Sequence, residues 1–196
     1  MSSVLKCLDA ANSDQIAIHA DRITESLQVI PTDHAANHYG YGYKAGISIT
    51  DLAAGASLSY CLTGGSNRFN HIKNLVASVL GSSARVEIIR GADVTVNTGT
   101  VIALNNTNDN SDRVAGSTLK ASPTYTGGTV WDFLEIYAES TGTNAASSSL
   151  NLSSNEELVT KADSTPYILK ITNIGTSNLK KAWLKLFFYE EPKGLI

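Results

Sequence analysis

Short stretches of alternating polar and apolar residues, separated by turns rich in Gly, Asn and Ser, run through most of the chain. In Ala56–Thr63, for example, Leu58, Tyr60 and Leu62 alternate with smaller residues. Because successive side chains of a β-strand point to opposite faces, this alternation predicts half-buried strands. No stretch carries the apolar spacing of a long amphipathic helix, and no unit repeats at a fixed period. The pattern therefore predicts an all-β fold.

We expect eight to ten short strands. The stretch 71–80 also fits a helix with Ile72, Leu75 and Val79 on one face, but its position between strand patterns favours a strand. The stretch 16–19 carries the pattern within the predicted N-terminal arm. The other stretches that carry it are 26–30, 45–50, 56–63, 71–80, 84–90, 94–96, 100–104, 130–139, 166–173 and 180–190.

Turn residues between neighbouring strands predict two hairpins. Gly81, Ser82 and Ser83 would join 71–80 to 84–90, and the Asn-Thr-Gly sequence at 97–99 would join 94–96 to 100–104. Two polar stretches of low apolar content, 105–128 and 140–155, are predicted loops.

Strand number and spacing predict an antiparallel β-sandwich with long polar loops, of which the jelly roll is the eight-stranded form. The Cys, Trp, Cys spacing of immunoglobulin domains is missing, which favours a jelly-roll-like topology. A chain of 196 residues is long enough for one domain. We assign residues 26–196 to a single β-sandwich domain and residues 1–25 to an N-terminal arm or edge strand.

Composition excludes several classes of protein. Ser, Thr, Asn and Gly supply 70 of the 196 residues and charged residues only 17%, unlike a coiled coil or a charged disordered chain. The formal net charge of −3 argues against nucleic-acid binding through phosphate contacts. No apolar run approaches the ~20 residues of a membrane span, and no secretion signal is apparent. Cys7 and Cys61 are predicted to be small buried or half-buried residues without a metal role.

No catalytic, cofactor or metal site is predicted. His34 and His38 have the spacing of a helical metal-binding pair, but Pro31 and Gly40 flank them, so a polar loop is favoured. The asparagines and aspartates of 105–113 lack the spacing of a calcium-binding loop. The chain has neither a Gly-x-Ser-x-Gly motif nor a phosphate-binding Gly-rich loop. We therefore expect a protein that is not an enzyme and needs no cofactor.

The most distinctive string is His38-Tyr39-Gly40-Tyr41-Gly42-Tyr43. In an extended chain its three tyrosine rings would share one face and leave bare backbone on the other. Such a face suits a protein contact or a sugar-stacking platform, because tyrosine is enriched at interfaces. The structural alternative is a half-buried strand whose glycines admit another backbone. The predicted contact residues are His38, Tyr39, Tyr41, Tyr43 and Trp131.

Three stretches resemble small virion structural proteins of tailed bacteriophages. In Val86–Arg113, a strand and an Asn-Thr-Gly-Thr turn lead into an Asn-rich run that ends in Ser, Asp and Arg. The stretch Leu27–Tyr43 and the final strand Trp183–Glu190 are similar to the same group. In that group an arginine falls within the Asn run, whereas here Arg113 follows it. The resemblance implies a capsid-associated or other structural role without a catalytic site.

Low charge and many strands agree with a rigid shell protein. We expect a capsid decoration or cement protein that binds the major capsid protein lattice on the exterior of the virion, assembled in the host cytoplasm. Since a lattice is symmetric, we expect a homo-oligomer, a trimer or a dimer, without nucleic-acid or membrane partners. The alternative is a carbohydrate-binding receptor-recognition module of a fibre or tail, because one fold hosts both functions.

Overall fold

The structure is a computed structural model that describes residues 5–8, 15–20, 27–29, 36–96, 99–138, 146–151, 158–161 and 165–192. Within these ranges the chain forms strands and one helical turn at residues 36–38. The strands are β1 (Leu5–Leu8), β2 (Gln15–Ala20), β3 (Leu27–Val29), β4 (Gly42–Leu52), β5 (Ser57–Thr63), β6 (Arg68–Leu80), β7 (Ala84–Val96), β8 (Val101–Ile102), β9 (Asn105–Asn106), β10 (Thr118–Ala121), β11 (Thr124–Ile136), β12 (Ala146–Asn151), β13 (Leu158–Val159), β14 (Pro166–Asn173) and β15 (Leu179–Pro192).

Strands β1, β2 and β3 form a three-stranded antiparallel sheet of their own. Ile18 of β2 lies opposite Leu5 of β1 on one side and Val29 of β3 on the other. The strand predicted at 16–19 is therefore present as β2. The strand predicted at 26–30 is present as β3, and its partner is β2.

The other strands form two antiparallel sheets that pack against each other. The first, which we call the β4 sheet, has the order β12-β6-β15-β4-β9, with β13 added on β6. The second, the β5 sheet, has the order β11-β7-β14-β5-β10-β8. The predicted antiparallel β-sandwich is confirmed.

The eight principal strands pair in a nested order. The first, β4, pairs with the last, β15; then β5 pairs with β14, β6 with β12, and β7 with β11. Strands from successive pairs alternate between the two sheets. This is the arrangement of a jelly roll, which the sequence pattern predicted.

One hydrophobic core lies between the sheets, as the alternation in the sequence requires. On β4, Ala45, Ile47 and Ile49 are buried while the residues between them are exposed. Burial of this apolar surface is the main favourable contribution to folding. The largest fully buried side chains are Tyr43, Leu62, Ile72, Leu75, Ile88, Leu119, Ile168, Leu169, Ile171, Leu179, Leu184 and Leu186.

Both predicted hairpins are wrong. Strands β6 and β7 lie in different sheets, so the turn at Gly81, Ser82 and Ser83 crosses from one sheet to the other. Strand β7 continues to Val96, and β8 pairs with β10 instead of returning along β7. A Gly-Ser turn allows the chain to reverse, but it does not specify whether the next strand stays in the same sheet.

Both predicted loops contain strands. The stretch 105–128 holds β9, β10 and the start of β11, and 140–155 holds β12. These strands have few large apolar side chains, and pairing with the backbone of a neighbouring strand stabilises them. β10 pairs with β5, and β12 pairs with β6. On β10, Leu119 is fully buried in the core, and Ala121 packs against the core while partly exposed.

The far end of the paired strands β7 and β11 packs over the outer face of the β5 sheet. Beyond Arg90, β7 no longer pairs with β14. Gly91, Gly127 and Gly128 have positive φ angles of 69°, 63° and 93° along this stretch. Here Ala92 joins a second buried cluster with Cys61, Ile89 and Ile168, against which Val94 and Tyr125 pack.

Cys61 is a free thiol that is fully buried in this second cluster. Its prediction as a small buried residue is confirmed, whereas the side chain of Cys7 lies outside the described residues. Within the described ranges, no helix has the length and hydropathy to cross a bilayer.

Candidate contact surface

Two loops meet at the end of the sandwich where β4 begins and β15 ends. We call residues 36–43 and 105–117 together the loop surface. The Thr107 N–H donates to the Gly42 carbonyl at 2.9 Å, and the Glu190 N–H donates to the Tyr41 carbonyl at 2.9 Å. The loops are thus joined to each other and to β15 by backbone hydrogen bonds.

The asparagine run of 105–110 holds the two loops together. Asn106 Nδ2 donates to the carbonyls of Gly40 at 2.9 Å and Arg113 at 3.0 Å, and Asn108 Nδ2 donates to the carbonyl of His38 at 2.9 Å. Asn106 Oδ1 also accepts from the Asn108 N–H, a local turn that asparagine favours. We call the side-chain amides of Asn106 and Asn108 the bracket, because their hydrogen bonds hold the two loops together.

The glycines of the Tyr-Gly string make room for this bracket. Gly40 has a φ of 74°, and a Cβ there would lie 2.0 Å from Ser111 Oγ. A Cβ on Gly42 would lie 1.8 Å from Asn37 Oδ1, which accepts from Thr107 Oγ1 at 2.9 Å. The alternation of Tyr and Gly therefore serves close packing between the loops. The neighbours of both glycines are side chains, and residues 36–40 form a helical turn instead of the half-buried strand of the structural alternative.

A buried carboxylate anchors the second loop to the sandwich. The side chain of Glu190, on β15, is fully buried. It accepts from Arg68 Nη1 at 2.7 Å, the Gly116 N–H at 3.0 Å and the Ser117 N–H at 2.7 Å. Three charge-assisted hydrogen bonds satisfy this carboxylate and fix the loop to β6 and β15.

Two guanidinium groups lie over the ring of Tyr41. The Cζ atoms of Arg113 and Arg68 are 4.2 Å and 5.7 Å from the ring centroid. Cation–π contacts of this kind hold Tyr41 and Arg113 in place without a carboxylate partner for Arg113 among the described residues. Arg113 is itself exposed, so the surface presents a positive charge that is held over the ring of Tyr41.

The structure brings together three of the five predicted contact residues. His38 and Tyr39 are exposed, Tyr39 at 54%, and Tyr41 is half-buried between them and the sandwich. Tyr43 is in the core with 1% exposure, its ring 5.8 Å from that of Phe188. The three tyrosine rings therefore do not share one face, because the helical turn and the positive φ of Gly40 rotate Tyr39 away from the strand.

Trp131, the fifth predicted residue, lies elsewhere. It is on β11 of the β5 sheet, half-buried at the edge of the core. Its ring lies 5.5 Å from that of Tyr167 and also 5.5 Å from Arg90 Cζ. It belongs to the packing of the sandwich rather than to the loop surface.

The sequence did not predict three residues of this region: the exposed Val114 on the loop surface, and the buried Glu190 with its partner Arg68. Val114 is the most exposed large apolar side chain of the described residues, at 82%. Glu190 stands at the end of the apolar string Leu186–Tyr189, and a lone carboxylate in such a string is a usable sign of a buried anchor. Nothing local marks Arg68 as its partner, because the two residues are 122 positions apart.

Three ionisable groups inside the sandwich have a raised pKa. Burial, followed by the negative charge of Glu190, raises the pKa of Tyr43, and burial raises the pKa of Tyr60 and of the Cys61 thiol. All three groups therefore stay neutral at physiological pH and are packed among apolar side chains. The described residues also contain no group of three or more His, Cys, Asp or Glu that could hold a metal ion. His34, of the predicted histidine pair, lies outside the described residues.

Comparison with known proteins adds no family to this description. No model of a known protein family matches the chain, and neither a curated protein nor a solved structure matches it. The fold and the loop surface are thus the observations on which a function must rest.

Proposed function

We propose that this chain is a non-enzymatic virion structural protein of a bacteriophage, a capsid decoration protein that binds the major capsid protein lattice through its loop surface. The observation that carries the proposal is the pre-organised state of that surface. Side-chain amides join its two loops, and the buried carboxylate of Glu190 anchors it. A surface that is already ordered loses little conformational entropy on binding.

The exposed groups of the loop surface suit contact with another protein. Tyr39 and Val114 supply apolar area, and Arg113 supplies a positive charge held on an aromatic ring. Tyrosine and arginine are the residue types that most often dominate protein interfaces. Many copies on one lattice would together hold firmly even where each contact is weak.

The first test is binding to capsids that lack the chain. Purified protein is mixed with such particles, and the bound fraction is measured by co-sedimentation. We expect saturable binding, and we expect Tyr39→Ala with Val114→Ala to weaken it about tenfold or more. Ile174→Ala is the control, because Ile174 is 40% exposed in the turn before β15 begins, whereas the loop surface lies where β15 ends. Equal loss in both variants, or no binding by the native chain, would contradict the proposal.

Quantitative mass spectrometry of purified virus particles tests the location. A copy number comparable with that of the shell subunits supports a decoration protein on the capsid exterior. A few copies per particle would favour the tail or a fibre. Absence from particles would overturn a virion role.

The alternative, a carbohydrate-binding receptor-recognition module, has less support. A sugar platform needs open ring faces, but Tyr43 is buried, Tyr41 lies under two guanidinium groups and Trp131 packs against Tyr167. Only Tyr39 of the predicted tyrosines is largely exposed. A glycan array distinguishes the two functions, since reproducible glycan binding lost in Tyr41→Ala would favour the carbohydrate module.

A further inference from the structure

A second exposed surface lies on the outer face of the β5 sheet. Val86 and Ile88 of β7 point into the core, so Arg85 and Glu87 point outward. On the neighbouring strand, Glu135 lies opposite Arg85 and Phe133 lies opposite Glu87. We call Phe133, Tyr137, Arg85, Glu87, Glu135 and Lys170 the aromatic patch.

Two aromatic side chains of this patch are open to solvent. Tyr137 is 71% exposed and Phe133 49% exposed. Phe133 lies on β11, and Tyr137 comes directly after its last residue. Arg85 Cζ lies 4.2 Å from the Phe133 ring centroid, and the Tyr137 hydroxyl donates a short hydrogen bond to Glu135. The rings are therefore held in position by neighbouring charged groups rather than by burial.

The charges of the patch cancel within it. Arg85 lies 3.1 Å from Glu87 and 3.3 Å from Glu135, and Lys170 Nζ lies 3.8 Å from Glu87. Two cations and two anions alternate on three neighbouring strands. A partner of strong net charge would gain nothing from this surface.

A second copy of the chain fits these properties. In a two-fold contact the same patch faces itself, so a patch of single sign would repel its copy. A patch with alternating acids and bases can place acid opposite base, and its exposed rings supply the apolar area. We propose that the aromatic patch is the self-association surface of this chain, with a second copy as its occupant.

The contact involves the face of the sheet rather than its edge. β11 is the outermost strand of the β5 sheet in the described residues, but a bulge interrupts it between Val130 and Asp132. The Phe133 N–H donates to Asp132 Oδ1 at 2.7 Å and so is already satisfied. Bulges and local charge are devices that block strand addition at a sheet edge.

Sedimentation velocity of the purified chain tests this inference independently of the proposed function, because no capsid is present. We expect the native chain to associate at about 10 μM, and Phe133→Ser with Tyr137→Ser to weaken association tenfold or more. The control, Tyr39→Ser with Val114→Ser, removes one exposed ring and one exposed apolar side chain from the loop surface and should associate as the native chain does. An unchanged circular dichroism spectrum shows that the double variant is folded. The single variant Tyr137→Ser changes only the more exposed ring, so it tests the patch with less risk of misfolding.

Salt provides a second readout. The patch has no net charge, so no long-range attraction between copies is available for salt to screen, and exposed ion pairs contribute little. Because the exposed rings supply most of the favourable free energy, association should change less than about threefold between 50 and 500 mM salt. A monomeric native chain, unchanged association in the patch variants, or loss of association in high salt would each overturn the inference. Capsid binding that fails while self-association follows these expectations would overturn the proposed function alone.

Discussion

At the scale of single residues, a few polar groups inside apolar surroundings decide how the loop surface is held. Glu190 is fully buried and fully hydrogen-bonded. Tyr43 is almost as deeply buried, but its hydroxyl has no hydrogen-bond partner among the described residues. The cost of burying a polar group depends on whether it finds a partner, so removing these two groups should have opposite effects on stability.

Replacing Tyr43 with Phe should stabilise the protein. The change removes a buried hydroxyl that makes no hydrogen bond, so we expect a gain of about 1 kcal/mol in the free energy of unfolding. Urea unfolding measured by circular dichroism checks this value. Tyr39→Phe, at an exposed ring, is the control and should change stability by less than about 0.5 kcal/mol.

The same residue predicts a pH dependence. Burial, then the charge of Glu190, raises the pKa of Tyr43 above its ordinary value of 10.0, so the unfolded chain ionises first as the pH rises. The stabilisation that comes from this shift is complete below pH 10 and is lost as the pH rises through the raised value. We expect the stability of the native protein to fall as the pH rises above 10, and less steeply in Tyr43→Phe. Equal slopes for the two proteins would contradict the assignment.

Replacing Glu190 with Gln should destabilise the protein by about 2–4 kcal/mol. The amide leaves Arg68 without its counter-charge and sets an NH₂ group against backbone N–H donors of the second loop. Thermal unfolding measures the loss. Asp109→Asn removes a charge from an exposed position of the same loop and should be nearly neutral, so an equal loss there would refute the role of the buried anchor.

At the scale of elements, the loop surface is built from two segments with little apolar content of their own. Their order comes from amide side chains that meet backbone carbonyls across the gap between them. The asparagine run is visible in the sequence, but its partners at 36–42 are not. The long alternating strands β4, β5, β14 and β15 were predictable because each has a buried face, whereas β10 and β12 were not, because neighbouring strands hold them by backbone pairing.

Replacing Asn106 with Ala should loosen both loops. The change removes the donor to the Gly40 and Arg113 carbonyls and the acceptor of the Asn108 N–H. We expect amide hydrogen exchange to rise about tenfold in residues 37–42 and 106–113. Asn110→Ala, in the same loop and exposed, is the control, and similar exchange in the two variants would show that Asn106 is not the bracket.

At the scale of the whole molecule, the two sheets share one core, and the chain passes repeatedly from one sheet to the other. Successive strands alternate between the β4 sheet and the β5 sheet in the series β4, β5, β6, β7. They alternate again in the series β11, β12, β14, β15. Local alternation predicted the sandwich, but not which strands are neighbours, since the nested partners are far apart in the chain. Neither sheet has a complete core without the other, so we expect the sandwich to unfold as one unit.

The two tryptophans test this cooperativity. Trp183 lies on β15 of the β4 sheet, and Trp131 lies on β11 of the β5 sheet. In Trp131→Phe and in Trp183→Phe, the remaining tryptophan reports one sheet by fluorescence. We expect the fluorescence midpoint in urea to coincide with that of circular dichroism in each variant, and separate midpoints within one variant would show that the sheets unfold independently.

Nested pairing also sets a condition on biosynthesis. Strand β15 lies between β6 and β4, so the β4 sheet has a gap at its centre until β15 has left the ribosome. Between the start of β4 at Gly42 and the end of β15 at Pro192, translation takes roughly 8–30 s at ordinary rates of elongation. Until then, the edges of β4 and β6 that pair with β15 have no strand between them. The growing chain should therefore depend on ribosome-associated chaperones, and folding should be completed only after the last strand is synthesised.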